Sequence, residues 1–151
     1  MCSENKKGKN KLMLTVVFWV YMAVVFRITV FRPGFGLDHL LENGRLNLTL
    51  FQNYIPMLQK GDWFRFIYLF VGNIIWFLPF GMYLRYTGKP KRGWQIMLAG
   101  FLFSLTIESL QYIFGTGYSE VDDLILNTAG VCIGMGIVTG VRRLKKAAAD
   151  V

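Results

Sequence analysis

Polar side chains recur inside the apolar segments of this 151-residue chain. Glu108 and Gln111 stand three residues apart, and Ser104 stands four residues before Glu108, so a helix places all three on one face. Asp123 and Asn127, four residues apart, share a helix face in the same way. A buried carboxylate among amides suits general acid–base catalysis, proton transfer or ligand binding. These residues are therefore the first candidates for function.

The segments that carry these residues are apolar enough to cross a membrane. Apolar residues make up 54% of the chain and charged residues 17%, whereas soluble domains carry roughly 25% charged residues. A soluble chain of this length could not bury that much apolar surface, so lipid is the expected surrounding. A spanning helix needs about 20 residues. The predicted spanning helices are residues 12–31, 66–84, 94–114 and 124–141.

The sequence predicts an all-α integral membrane protein, a bundle of four transmembrane helices in one domain, residues 12–141. Basic tails precede and follow this domain, at residues 1–11 and 142–151. The first connection between spanning helices is long, and its residues 46–58 are apolar enough for an interfacial or re-entrant helix. Pro56 argues against one continuous helix there.

Charge asymmetry predicts the orientation of the bundle. Both tails and the connection 85–92 each carry four Lys or Arg residues, whereas the last connection carries Glu120, Asp122 and Asp123 and no basic residue. Basic loops stay on the cytoplasmic side of a membrane. Both termini are therefore predicted to be cytoplasmic, with the acidic connection outside.

Counting along the predicted helices places the polar residues at one depth. Asn73 lies seven residues inside the second segment, Glu108 six residues before the end of the third, and Arg27 four before the end of the first. Four helices thus contribute to one outward-facing polar site, over which Arg45 and Asn47 fold from the first connection. The predicted binding residues are Arg27, Arg45, Asn47, Asn73, Gln111, Asp122 and Asn127. The candidate catalytic residues are Glu108 and Asp123, and Asp122 or Asp123 is also suited to cap the fourth spanning helix.

Four short motifs resemble those of the VanZ-like membrane proteins. Residues 73–81 resemble the N-x-x-x-F-x-P-x-G motif of that family, and residues 108–111 resemble its E-x-x-Q motif. Residues 122–130 resemble its D-D-x-x-x-N-x-x-G motif. Residues 45–51 resemble its R-x-N-L-I-P-F segment, with Leu50 where proline is usual. The order and spacing of the four motifs make the resemblance specific.

This resemblance implies a bacterial cell-envelope protein associated with lower susceptibility to teicoplanin-type lipoglycopeptides. The expected partners are the lipid bilayer and a lipid-linked envelope precursor or a lipoglycopeptide, which the polar site would bind or modify. Two alternatives stay open: a membrane enzyme acting on a lipid head group with Glu108 as acid or base, and a purely structural or interaction protein. Transport ranks last, because the inner halves of the segments hold few polar groups.

Nucleic acid, cofactors and metals are not expected. The basic residues flank apolar runs and do not form one stripe, so topology explains them better than nucleic-acid binding does. His39 is the single histidine, and neither cysteine has a ligand-spaced companion, so an ordinary zinc site is excluded. The acidic residues 120–123 could hold a divalent cation, but a solvated turn at a helix start is the favoured interpretation.

Overall fold

The computed structural model describes residues 2–32, 35–37, 40–41, 44–87 and 92–150, with side chains from residue 8 onward. His39 and the basic residues Lys89 and Lys91 lie outside the described residues. The helices are α1 (Cys2–Thr29), α2 (Tyr54–Gln59), α3 (Trp63–Thr87), α4 (Gly93–Phe114) and α5 (Val121–Ala149). The strands are β1 (Arg45–Asn47) and β2 (Tyr118–Glu120).

Four of these helices are long and apolar enough to cross a membrane, namely α3, α4, α5 and α1 from residue 8 onward. The prediction of an all-α four-helix membrane protein is therefore confirmed. The helices extend past the predicted spans at several ends, and α5 continues through the basic residues 142–149. We call the end of the bundle where α1 and α4 end and α3 and α5 begin the site end.

Glycines bring the backbones of α3 and α5 into direct contact. A Cβ atom added at Gly130 would lie 2.3 Å from the carbonyl oxygen of Ile74, and one at Gly134 would lie 2.1 Å from that of Leu78. Such small residues allow close helix approach in lipid, where packing drives association. Gly136 belongs to a second pair of spaced glycines, but a Cβ there would meet no atom within 4 Å. Of these two pairs, only the first lies at the contact between α3 and α5.

Pro79 interrupts the hydrogen-bond ladder of α3, and α1 contacts that helix at the same place. Proline has no N–H to donate to the preceding turn. The Tyr21 hydroxyl of α1 donates to the carbonyl oxygen of Trp76, at 2.5 Å. This hydrogen bond ties α1 to α3 beside the interrupted ladder.

We expect Tyr21→Phe to weaken the attachment of α1. The substitution keeps the ring and removes a bond worth about 1 kcal/mol, so the unfolding temperature in detergent should fall by a few degrees. Tyr86→Phe is the matched control. The Tyr86 side chain is exposed, and the guanidinium carbon of Arg142 lies 5.7 Å from the centre of its ring, a contact that phenylalanine retains. Equal unfolding temperatures for the two variants would show that the Tyr21 bond contributes no stability.

The first connection lies against the last one at the site end. Strand β1 pairs in parallel with β2, with Arg45 opposite Tyr118 and Asn47 opposite Glu120. The predicted helix of the first connection is present as the six residues of α2, and Pro56 is its third residue. A proline in the first turn removes no helical hydrogen bond. The sequence analysis did not predict the two strands.

Candidate functional site

A cavity of about 820 Å³ lies at the site end, enclosed by the spanning helices, α2 and β2. Its walls include five of the predicted site residues, which come from three different helices: Asn73, Glu108, Gln111, Asp123 and Asn127. Ile28 and Thr29 of α1 complete the contribution of the fourth spanning helix. The cavity is also lined by polar residues that were not among the predicted site residues: Arg32, Asn53, Tyr54, Arg65, Tyr118 and Glu120.

Two carboxylates connect the elements around the cavity. The Oε2 atom of Glu108 accepts a hydrogen bond from the backbone N–H of Glu120, at 3.0 Å, which links α4 to β2. The Oδ1 atom of Asp123 accepts one from Nδ2 of Asn73, at 2.5 Å, which links α5 to α3. Each carboxylate is therefore held in place by a donor from a neighbouring element.

Two buried amides of the cavity wall each have an unpaired oxygen atom. Gln111 and Asn127 are 4% and 3% exposed. Nε2 of Gln111 donates to the carbonyl oxygen of Thr29 at 3.2 Å, and Nδ2 of Asn127 donates to the Ser104 hydroxyl at 2.9 Å. A carbonyl can only accept, which fixes the orientation of the Gln111 amide. Oε1 of Gln111 and Oδ1 of Asn127 have no hydrogen-bond partner within the described part of the chain.

Most charged groups of the cavity lie at the site end. Arg32 follows the end of α1 and Arg65 is the third residue of α3, so both cations lie at the site end. Glu108 precedes the end of α4 by six residues, which places it about 9 Å deeper at about 1.5 Å per residue. At the site end the cavity thus carries both guanidinium and carboxyl groups, since Glu120 and Asp123 also lie at the start of α5, and Glu108 lies deeper.

Four of the nine predicted site residues lie outside the cavity wall, namely Arg27, Arg45, Asn47 and Asp122. Arg27 is exposed, and its guanidinium donates to the carbonyl oxygen of Phe31. Arg45 donates to the Tyr118 hydroxyl at 2.7 Å, with its guanidinium carbon 5.1 Å from the centre of that ring. Asn47 accepts from the backbone N–H of Thr49 at 3.1 Å. Arg45 therefore reaches the site only through Tyr118, a residue of the wall.

Asp122 has a different position from its neighbour Asp123. It is 1% exposed, and its two carboxylate oxygens accept from the backbone N–H of Phe51 at 3.0 and 2.8 Å. Phe51 has a φ of 56°, which is unfavourable for a residue with a large side chain. The expected cap of α5 by either aspartate is not formed, because Glu120 is the N-cap residue and no side-chain cap bond is present there. Asp122 instead holds the turn before α2.

Burial and charge shift the pKa values of two groups in the connections. Burial raises the pKa of Glu120, and the Asp122 carboxylate raises it further, whereas the Asn53 amide bound at 2.6 Å opposes the shift. Burial also raises the pKa of Tyr54 above its ordinary value, and the neighbouring carboxylates add to that effect. Tyr54 is therefore a neutral hydroxyl donor at the cavity wall.

The raised pKa of Glu120 predicts a pH-dependent stability. The native state disfavours the ionised form, so this stability is fully present below the ordinary carboxyl pKa and is lost as pH rises through the raised value. Glu120→Gln keeps an acceptor for Asn53 and cannot ionise. Its unfolding temperature should match the wild type near pH 4 and exceed it near pH 7. Asp150→Asn, at the opposite end, is the control, and parallel curves for wild type and Glu120→Gln would contradict the prediction.

Comparisons with known proteins agree with the motif resemblance. The VanZ/LLP1 family matches residues 18–143 of the chain. The chain is also 25% identical over 131 residues to Protein VanZ of Enterococcus faecium, an alignment that covers 83% of this chain and 73% of that protein. No solved structure matches with statistical significance. Because the family match covers most of the chain and includes residues of all four spanning helices, the protein belongs to the VanZ/LLP1 family.

Proposed function

We propose that the protein resides in the bacterial cell membrane, with both termini in the cytoplasm and the cavity open to the outside. The support is the charge asymmetry of the bundle. Basic residues cluster at the end opposite the cavity, including Arg85, Arg92 and residues 142–146. The connection between α4 and α5 and the first turn of α5 carry Glu120, Asp122 and Asp123 and no basic residue. Positively charged segments are retained on the cytoplasmic side.

In this position the cavity binds or modifies a lipid-linked envelope component and thereby lowers susceptibility to teicoplanin-type lipoglycopeptides. The observation that carries the proposal is the pair of buried, unpaired amide oxygens on Gln111 and Asn127. Polar contacts between spanning helices contribute about 0.6 kcal/mol each, and only when both partners are present. Helix association therefore gives no reason for acceptors without donors, whereas a ligand with donors does.

Drug susceptibility tests this proposal. In a teicoplanin-sensitive Gram-positive host, the wild type is expected to raise the inhibitory concentration of teicoplanin and to leave that of vancomycin nearly unchanged. Glu108→Ala should abolish the teicoplanin effect at a matched level of membrane protein, because it removes a carboxylate from the cavity wall.

Thr106→Ala is the matched control on the same helix. Thr106 is exposed, and its hydroxyl bonds only to the Leu102 carbonyl of α4, at 2.8 Å. This variant should retain full tolerance. Absence of tolerance with well-expressed wild type would contradict the proposed role, and a loss caused only by lower protein level would indicate a structural role for Glu108.

An enzyme acting on a lipid head group is the second candidate, favoured by the presence of two carboxylates in one cavity. Glu108 comes from α4 and Asp123 from α5, so their distance is set by helix packing and does not depend on a loop. An acid–base role for Glu108 predicts that Glu108→Gln retains lipid binding and loses turnover. A binding role predicts that no lipid head group is altered by the wild type, which thin-layer or mass analysis of membrane lipids would show.

A further inference from the structure

The cavity reaches the lateral surface of the bundle between α1 and α3. Ile28 of α1 and both Tyr68 and Trp76 of α3 line the cavity. The same three side chains are 41%, 70% and 44% exposed. In a membrane this surface faces lipid, since α1 and α3 are spanning helices. A ligand can therefore enter from the bilayer with its head group in the cavity and its chains outside.

The cavity wall holds buried hydrogen-bond acceptors and more carboxyl groups than guanidinium groups. Gln111 and Asn127, both more than nine-tenths buried, present oxygens that lack a partner in the described part of the chain. Three carboxyl side chains line the cavity, on Glu108, Glu120 and Asp123, together with two arginines. Buried acceptors and carboxylates are stabilised by a donor that carries positive charge.

A primary ammonium group fits these acceptors, because it has three N–H donors, no acceptor and a positive charge. A phosphate group fits beside Arg32 and Arg65, which offer guanidinium donors. We propose that the cavity receives the head group of a zwitterionic lipid, with its ammonium among the oxygens of Gln111, Asn127 and Glu108 and its phosphate beside the arginines. This inference rests on the proposed function and names the ligand class of that site.

Related lipids lack either the positive charge or the N–H donors of the primary ammonium group, so they should bind less well. A phosphatidylglycerol head group has the phosphate and hydroxyl donors but no positive charge. A phosphatidylcholine head group has the charge but no N–H donor for the Gln111 and Asn127 oxygens. Hydrogen bonds involving charged groups are about twice as strong as neutral ones, so each missing feature should lower affinity by about tenfold.

Lipid binding by the purified full chain tests the inference. Dioctanoyl phosphatidylethanolamine, phosphatidylcholine and phosphatidylglycerol are compared by calorimetric titration in one detergent. We expect phosphatidylethanolamine to bind about tenfold more tightly than either of the others. Equal affinities for the three lipids would overturn the proposal, and this comparison needs no variant to fold.

A water-soluble head group separates the lipid from a free zwitterion. Glycerophosphoethanolamine has the same ammonium and phosphate without chains, and it should bind at least about tenfold more weakly than the lipid, because the lost chains no longer contact the apolar surface between α1 and α3. Equal affinity for the lipid and the free head group would overturn entry from the bilayer.

Variants test which residues bind the ammonium group and which bind the phosphate group. Glu108→Gln should reduce the preference for phosphatidylethanolamine over phosphatidylglycerol, whereas Arg65→Gln should weaken both lipids alike. Arg143→Gln, an exposed arginine at the other end of α5, is the control and should change neither affinity. A preference unaffected by Glu108→Gln would overturn the placement of the ammonium.

The binding assay contains no drug, so it can fail separately from the proposed function. Glu108-dependent teicoplanin tolerance without lipid preference would overturn this inference and leave the proposed function standing. Lipid preference without tolerance would support the ligand class and contradict the role in drug susceptibility.

Discussion

Gly134→Ala is expected to destabilise the bundle by about 3 kcal/mol, at the upper end of overpacking effects. The added methyl group would lie 2.1 Å from the Leu78 carbonyl oxygen, so α3 and α5 would have to separate. The obstacle is backbone, which cannot rotate away as a side chain can. The gain in helix propensity of about 1 kcal/mol from Gly to Ala offsets only part of this cost.

Gly136→Ala, two residues further along α5, is the matched control. A Cβ atom there meets nothing within 4 Å, so only the propensity gain remains and stability should rise slightly or stay unchanged. The measurement is the unfolding temperature in detergent together with the amount of protein in the membrane. Equal behaviour of the two variants would show that the contact between α3 and α5 does not limit stability.

The adjacent residues Asp122 and Asp123 are expected to give opposite phenotypes. Asp122→Ala leaves the Phe51 N–H without its acceptor in a partly buried place, which should cost about 1–3 kcal/mol because the lost partner is charged. Asp123→Asn retains an oxygen for the Asn73 amide and should fold normally. It removes a charge from the cavity wall, so it should lose drug tolerance.

Protein level, unfolding temperature and teicoplanin susceptibility of the two variants distinguish these roles. The account predicts low protein level for Asp122→Ala and normal level without tolerance for Asp123→Asn. Full tolerance in a stable Asp123→Asn protein would mean that this carboxylate does not act in the cavity. Normal stability of Asp122→Ala would mean that the turn at Phe51 needs no carboxylate.

The depth of each polar residue in the membrane could be predicted from the sequence, because each spanning helix starts and ends near a membrane surface. Counting from those ends placed Asn73, Glu108 and Asn127 at one level, and the structure brings them to one cavity. Glu108 and Gln111 are three residues apart, so the sequence also predicted that both side chains lie on one face of the helix. These residues are easy to identify in the sequence because they are polar and the segments around them are apolar.

Direction around a helix could not be predicted for α1, because its spanning part is apolar on every side. Arg27 was therefore assigned by depth alone, whereas the structure places Arg32 in the cavity wall and Arg27 outside it. Tyr54 and the strands β1 and β2 were not predicted for another reason. The strands have three residues each and pair Arg45 with Tyr118 across 73 positions, which no local pattern reveals.

The most direct test of the central claim, that the cavity is a binding site and not a structural contact, is a paired measurement on Glu108→Gln. This substitution retains the shape of the side chain and an oxygen for the Glu120 N–H. The account predicts an unfolding temperature at or above that of the wild type, with teicoplanin tolerance lost at equal protein level. A stable Glu108→Gln protein with full tolerance would contradict the claim.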